Sequence, residues 1–259
     1  MVKGLYTAYT GMLNEQNRMD IMTNNLANAS TVGYKKEGST SQSFDDVLTV
    51  KIKDQSVGMR NVQKIGIKNP GVKIGENYTD YSQGSFRITG NTYDLALSGE
   101  GFFAIEFTNK AGEIDTKYTR AGQFTLNKDG YLVTEEGDYV LDTQNRRIRL
   151  NTLIDSSITD DGTIYQNGQA MAKIQVTDFA DYDYLEKYGE TYYQPIQGAQ
   201  TIASNAQVKS GYLEMANVQI VSEMVNLISI TRAYESNQKV VQTIDDTLDV
   251  AVNQIGRIQ

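Results

Sequence analysis

The sequence predicts a mixed α and β chain, with coiled-coil-like helices at the N- and C-termini flanking a central antiparallel β-rich domain. Three observations carry that class. Apolar residues at both ends recur in alternating steps of four and three, the spacing of a helical seam. The middle breaks into short apolar-aromatic runs separated by turn signals at regular spacing, the pattern of hairpins. The 259 residues hold 22 glycines and only two prolines, Pro70 and Pro195, which suits many tight turns and leaves both helical ends uninterrupted.

The first element spans residues 1–36, a helix and a turn. Leu5, Tyr9, Met12, Gln16, Met19, Thr23 and Leu26 follow the seam spacing, and five of these seven are apolar. The helix runs into TNNLANASTVGYKK, where Asn24, Asn25 and Asn28 offer amide donors to the unpaired carbonyls of a helix end. Asparagine tolerates the left-handed conformation there, and Gly33 permits a sharp reversal. Residues 37–80 form a connector rich in Ser, Lys, Gly and Gln, with a short amphipathic piece around Phe44 to Ile52. Residues 81–205 form the β-rich domain. Its runs are Tyr93 to Leu97, Phe102 to Phe107, Phe124 to Leu126, Tyr131 to Val133 and Ile174 to Val176. Its turns centre on Gly90, Gly112, Gly130, Gly137 and Gly162. Residues 206–259 hold the long helix. The stepping from Ile220 visits Met224, Leu227, Thr231, Tyr234, Gln238, Val241, Asp245, Leu248, Val252 and Ile255, with eight of eleven apolar. At the standard rise that stretch is about 54 Å long.

Composition excludes several function classes. A net charge of −8 without a basic stripe argues against nucleic acid and anionic membrane surfaces as partners. No run reaches about 18 apolar residues, so the chain is not expected to be membrane-embedded. The N-terminus shows no apolar core and small-residue cleavage site of a secretory leader, so an export route that leaves it intact is expected. Cysteine and histidine are both absent. Thiol chemistry, the usual neutral-pH base and the commonest transition-metal ligand are therefore missing. No cofactor, metal or catalytic residue is assigned. GEGFF at Gly99–Phe103 lacks the third glycine and the helix of a nucleotide loop. NKDG and TDDG lack the spacing and terminal glutamate of a calcium loop and read as turns.

The seams raise a question of partners. Pairing the two ends as a hairpin is the plain solution, but the helices differ in length, so Leu248, Val252 and Ile255 would overhang. Val221, Val225 and Ile228 widen one seam, and Tyr6, Leu13 and Met22 widen the other. Burying each such side chain is worth about 1.5–3 kcal/mol, so other copies of the chain are the expected cover. Polar Gln16, Thr23, Thr231, Gln238 and Asp245 within the seams would penalise wrong registers. The expected subunit interface is Leu5, Tyr9, Met12, Met19, Asn24, Asn25, Leu26 and Asn28 with Ile220, Met224, Leu227, Tyr234, Val241, Leu248, Val252 and Ile255.

Four blocks resemble the rod and hook proteins of the bacterial flagellum, the axial family of the basal body. They are NNLANASTVGYKK, YSQGSFRITGNTYDLALSGEGFFAIE, YTRAGQFTLNKDGYLVTEEGDYVL and GYLEMANVQIVSEMVNLISITRAYESNQKVVQTIDDTLD, in the family's order. Tyr34 departs from the family's usual phenylalanine. Length and RAYESNQKV favour a rod member, distal before proximal, over the longer hook protein. The resemblance implies a structural subunit with no cofactor. It implies export through the flagellar apparatus and assembly into a hollow helical shaft, with the terminal helices lining the inner tube and the β domain outside. Implied partners are other copies, neighbouring rod and hook proteins, the export apparatus and bushing-ring proteins. The acidic, tyrosine-rich DFADYDYLEKYGETYY is a candidate contact surface for a neighbouring subunit or for such a ring. Two other classes stand beside this one. A cell-envelope glycan hydrolase needs a carboxylate pair that no motif supplies, and a β-rich adhesin needs an anchor.

Overall fold

The computed structural model describes residues 2–52, 62–109 and 112–253. Two compact units divide the chain. One comprises Met1–Leu26, Glu37–Asp80 and Ile220–Gln259, the other Ala27–Lys36 and Tyr81–Gln219. Helices occur at the two ends and antiparallel strands between them.

In the first unit, α1 (Val2–Ala27) covers the predicted N-terminal helix. Glu15 and Arg18, one turn apart, form an ion pair at 3.1 Å, and the Thr23 hydroxyl bonds back to the Met19 carbonyl. At the other end, α2 (Ile220–Asn253) starts at the predicted residue and carries Glu223 in its first turn, where the helix dipole favours an acid. A Cβ on Gly4 would lie 3.6 Å from Ile244 Cδ1, and one on Gly11 would lie 2.9 Å from Asn237 Nδ2. A rise of seven residues in α1 matches a fall of seven in α2, so the helices run antiparallel.

The connector consists of two antiparallel ribbons. β1 (Glu37–Ser43) pairs with β4 (Val72–Thr79), with a bulge between Ser39 and Ser41, and β2 (Val47–Ile52) pairs with β3 (Val62–Lys68). Gly38 lies opposite Tyr78, whose ring fills the place of the missing side chain. Polar bonds tie this connector to α1: Ser41 Oγ donates to Asn14 Oδ1 at 3.0 Å, and Thr7 Oγ1 donates to the Pro70 carbonyl at 3.2 Å.

The second unit holds the remaining strands. They are β5 (Phe86–Ile88), β6 (Leu95–Ser98), β7 (Phe102–Thr108), β8 (Ile114–Thr119), β9 (Phe124–Leu126), β10 (Leu132–Thr134), β11 (Tyr139–Val140) and β12 (Ser156–Ile158). After them come β13 (Thr163–Gln166), β14 (Gln169–Lys173), β15 (Val176–Phe179), β16 (Leu185–Tyr188), β17 (Tyr192–Pro195), β18 (Thr201–Ala203), β19 (Gln207–Ser210) and β20 (Tyr212–Glu214). The main sheet runs β16-β17-β8-β7-β11-β10-β9, and β15 joins it through β7. β7 is its centre. Phe102 and Ala104 enter one apolar cluster with Tyr118, Phe179 and Tyr193, while Phe103 enters another with Leu95, Phe124 and Leu132. A strand buried on both faces reads as a continuous apolar run, here FFAI. The five turn glycines expected from sequence all have positive φ, from 73° at Gly90 to 99° at Gly137. Four close hairpins in this unit: Gly112, Gly130, Gly137 and Gly162.

Candidate functional site

The chain's two candidate sites are the helix faces of the first unit and a buried charge centre in the second. Along α1, Gly4, Ala8 and Gly11 form a stripe of small residues, continued by the buried Asn14, Ile21 and Asn25. Two of its glycines are the ones that meet α2. The sequence-predicted seam lies one residue further on, about 100° around the helix. Leu5, Met12, Met19 and Leu26 are half-buried, and Tyr9 is 53% exposed, beside Tyr6 and Leu13.

On α2 a stripe of covered residues runs through Glu223, Leu227, Ile230, Tyr234, Asn237, Val241, Ile244 and Leu248, again in steps of four and three, with Thr231 and Ala233 half-buried at its side. Leu227, Tyr234, Val241 and Leu248 belong to the predicted seam. Ile220, Met224 and Val252, also of the predicted seam, are exposed, Val252 to 71%. Val221, Val225 and Ile228 are exposed beside Met224. Ile255 lies outside the described residues. The missed signal was the glycine-alanine-glycine spacing, which marks where two helices can approach closely.

The asparagines separate by task. Asn24 is exposed, whereas Asn25 and Asn28 are buried. Asn25 Nδ2 donates to the Glu37 carbonyl at 2.7 Å, and its Oδ1 accepts from the Glu37 amide at 2.9 Å. One side-chain amide thus serves both main-chain polar groups of the first residue of β1. Asn28 builds the turn after α1, accepting from the Thr31 amide on its carbonyl and from Thr31 Oγ1 on its Oδ1. Gly33 then has φ 70°, and a Cβ there would sit 2.3 Å from the Ala121 amide nitrogen. Both the turn and the close approach require glycine.

Beyond that turn lies the centre that sequence reasoning did not single out. Glu214 is fully buried. Its Oε1 accepts from Lys35 Nζ at 2.6 Å and from the Gly84 amide at 3.0 Å, and its Oε2 accepts from Arg120 at 3.4 Å. Lys35 and Arg120 are also buried, and Lys35 donates a second bond to the Ser82 carbonyl at 2.8 Å. The Arg120 guanidinium stacks 5.2 Å from the Phe102 ring. The four participants come from GYKK, SQGSF, YTRAG and YLEMAN, one from each resemblance block.

Elsewhere in this unit, Lys117 Nζ lies against the rings of Phe107 and Tyr188 and donates to Gln194 Oε1. Burial pushes its pKa down, against the pull of Asp115, Asp138 and Glu186. Burial also raises the Asp138 carboxyl, partly offset by the hydrogen bond from Tyr192. A cleft of about 450 Å³ beside these groups is lined by polar side chains, including Thr31, Arg87, Glu135, Glu136 and Glu190. Among the described residues, no cluster of acids could hold a metal ion, and no helix is long and apolar enough to cross a membrane.

Comparison with known proteins converges on one family. The flagella basal body rod protein family matches residues 5–35, the flagellar hook protein FlgE/F/G D1 domain matches residues 96–168, and the flagellar basal body rod FlgEFG protein C-terminal family matches residues 209–255. The flagellar basal-body rod protein FlgG of Bacillus subtilis is 34% identical, over 98% of this chain and 99% of its own length. The flagellar hook-basal body complex protein FlhO of the same organism is 31% identical and the rod protein FlgF of Caulobacter vibrioides 32%, each over the full length of both chains. These are structural proteins of the flagellum, not enzymes, and they associate with copies of themselves and with neighbouring rod and hook proteins. With all three segments matched and full-length relatives above 30% identity, this chain belongs to the flagellar basal-body rod and hook protein family, as a structural rod subunit of the basal body.

Proposed function

We propose that the chain polymerises through its terminal helices into the hollow shaft of the rod, as a distal rod subunit. In this reading the helices pack coiled-coil-like in an inner tube, the shaft transmits torque, and its lumen is the export channel. The single supporting observation is the division of labour on the helices. α1 meets α2 through glycines, while Tyr6, Tyr9 and Leu13 on one helix and Val221, Met224, Val225 and Ile228 on the other stay exposed. Large apolar side chains grouped on one helix face and left in water mark an association surface. Since the family self-associates, the occupant is a neighbouring copy or an adjoining rod subunit. Leu5, Met12, Met19, Asn24 and Leu26 extend this surface along α1, and Val252 adds an exposed apolar contact on another side of α2. Within the cell envelope, the export apparatus and a bushing ring are the further partners, the latter at the acidic tyrosine-rich segment 178–193.

The test is a Val221→Asp/Val225→Asp variant. Circular dichroism of the monomer should match wild type, since both residues are exposed, while sedimentation and electron microscopy should show assembly lost. Assembly at wild-type yield would overturn the reading. In a deletion strain, a rod that stops just short of the outer-ring position supports the distal assignment, and one that stops earlier supports the proximal one.

A further inference from the structure

The chain passes between its two units four times, after residues 26, 36, 80 and 219. Three of those passages lead directly into the neighbourhood of Glu214, and all the contacts that follow lie inside the second unit. The Lys36 amide, at the first of the three, donates to Asn217 Oδ1 at 2.7 Å. Asn217, close to the last, donates through Nδ2 to the Ser82 carbonyl at 3.2 Å and hydroxyl at 3.0 Å, next to the passage after residue 80. Lys35 joins the same Ser82 carbonyl to Glu214. Main-chain bonds repeat the pattern. The Gly33 amide donates to the Glu214 carbonyl at 2.8 Å, and the Met215 amide donates to the Ser85 carbonyl at 2.9 Å.

We infer that Glu214 and Asn217 form a clamp that holds the segments 33–36, 82–85 and 214–217 together as one bundle. A carboxylate with three donors in an apolar setting is held far more tightly than the same group in water. Asn217 extends that anchor outward, since its amide donates and accepts at once and so bridges two segments. The three segments are thereby tied together, and their bonds must break together. The mechanical purpose of such a tie rests on the rod-subunit reading, but the tie itself belongs to the single chain.

Hydrogen exchange on the full-length monomer tests it, with Asn217→Ala and Glu214→Gln examined separately. The informative amides are Gly33 and Met215, because neither variant removes their acceptors. Coupled loosening should speed their exchange at least about ten-fold, while the β7 and β8 amides keep wild-type rates. Wild-type rates at Gly33 and Met215 in both variants would overturn the clamp, and so would equal acceleration throughout β7 and β8, which would reduce the centre to a general stabiliser. Because Asn217 is only half-buried, its variant leaves the ion centre intact and keeps the test readable should Glu214→Gln fail to fold. The result is independent of whether the monomer polymerises, so it separates failure of the clamp from failure of the assembly reading.

Discussion

At the scale of single residues, the balance of charge around Glu214 governs the second unit. One carboxylate faces two cations, and all three side chains are at most 3% exposed. Removing this carboxylate's charge takes from Lys35 and Arg120 the anion that both contact, the costly half of breaking a buried pair. Glu214→Gln should therefore destabilise the unit by about 3–5 kcal/mol, seen as a lower urea midpoint at unchanged slope. Lys35→Met should cost less, because Arg120 still balances the carboxylate. Asp138 gives a pH signature of the opposite kind. Its folded pKa is raised above its ordinary value, chiefly by burial. Between about 3.9, the unfolded value, and that raised value, the folded state binds more protons, so its contribution to stability declines as pH rises. Asp138→Asn should flatten that stretch of the curve in thermal melts taken across mildly acidic pH.

At the scale of elements, the helix pair depends on what is absent from α1. Gly4 and Gly11 face α2 with different amounts of room. A methyl on Gly4 would make an ordinary contact with Ile244, and alanine is the better helix former by up to about 1 kcal/mol. Gly4→Ala should raise or preserve the helix signal on heating. Gly11→Leu should do the reverse, since even its Cβ would crowd the Asn237 amide and the larger side chain would push α2 away. A loss of helical ellipticity at lower temperature for Gly11→Leu than for Gly4→Ala checks the contrast. The connector obeys the same economy. Asn25 serves both polar groups of Glu37, so the strand begins where the helix side chain allows.

At the scale of the whole molecule, a net charge of −8 on a self-associating chain has a direct consequence. Like-charged subunits repel over roughly a Debye length, about 10 Å at 0.1 M salt, while the apolar helix surface proposed above as the interface would drive them together without regard to salt at these concentrations. Assembly should therefore strengthen as ionic strength rises from about 0.02 to 0.2 M. Sedimentation across that range should show polymer yield increasing while monomer ellipticity stays constant. A yield that fell with salt would mean that charge pairing, rather than the apolar flanks, holds the subunits.

The two terminal helices and the β-rich middle were legible in the sequence because their signals are local, whereas the four strands of the connector, β1–β4, and β19 and β20 just ahead of α2 were not. A period of 3.6 or 2 in apolar residues, and glycines needing positive φ, depend only on neighbours in the chain. So α2 begins at Ile220 as read, β9 spans Phe124–Leu126 as read, and every turn glycine adopts the expected conformation. Tertiary structure decided which stripe of each helix meets the other and where lone charges go. Leu5-Tyr9-Met12 and Gly4-Ala8-Gly11 share one period and differ only in which partner surface accepts them. Periodicity favours the greasier stripe, whereas close approach of two backbones selects the smaller one. In the same way, nothing local to Lys35, Arg120 or Glu214 reveals that residues up to 179 positions apart meet at one carboxylate. A buried charge is affordable only when its partners arrive, and that meeting is a property of the folded chain.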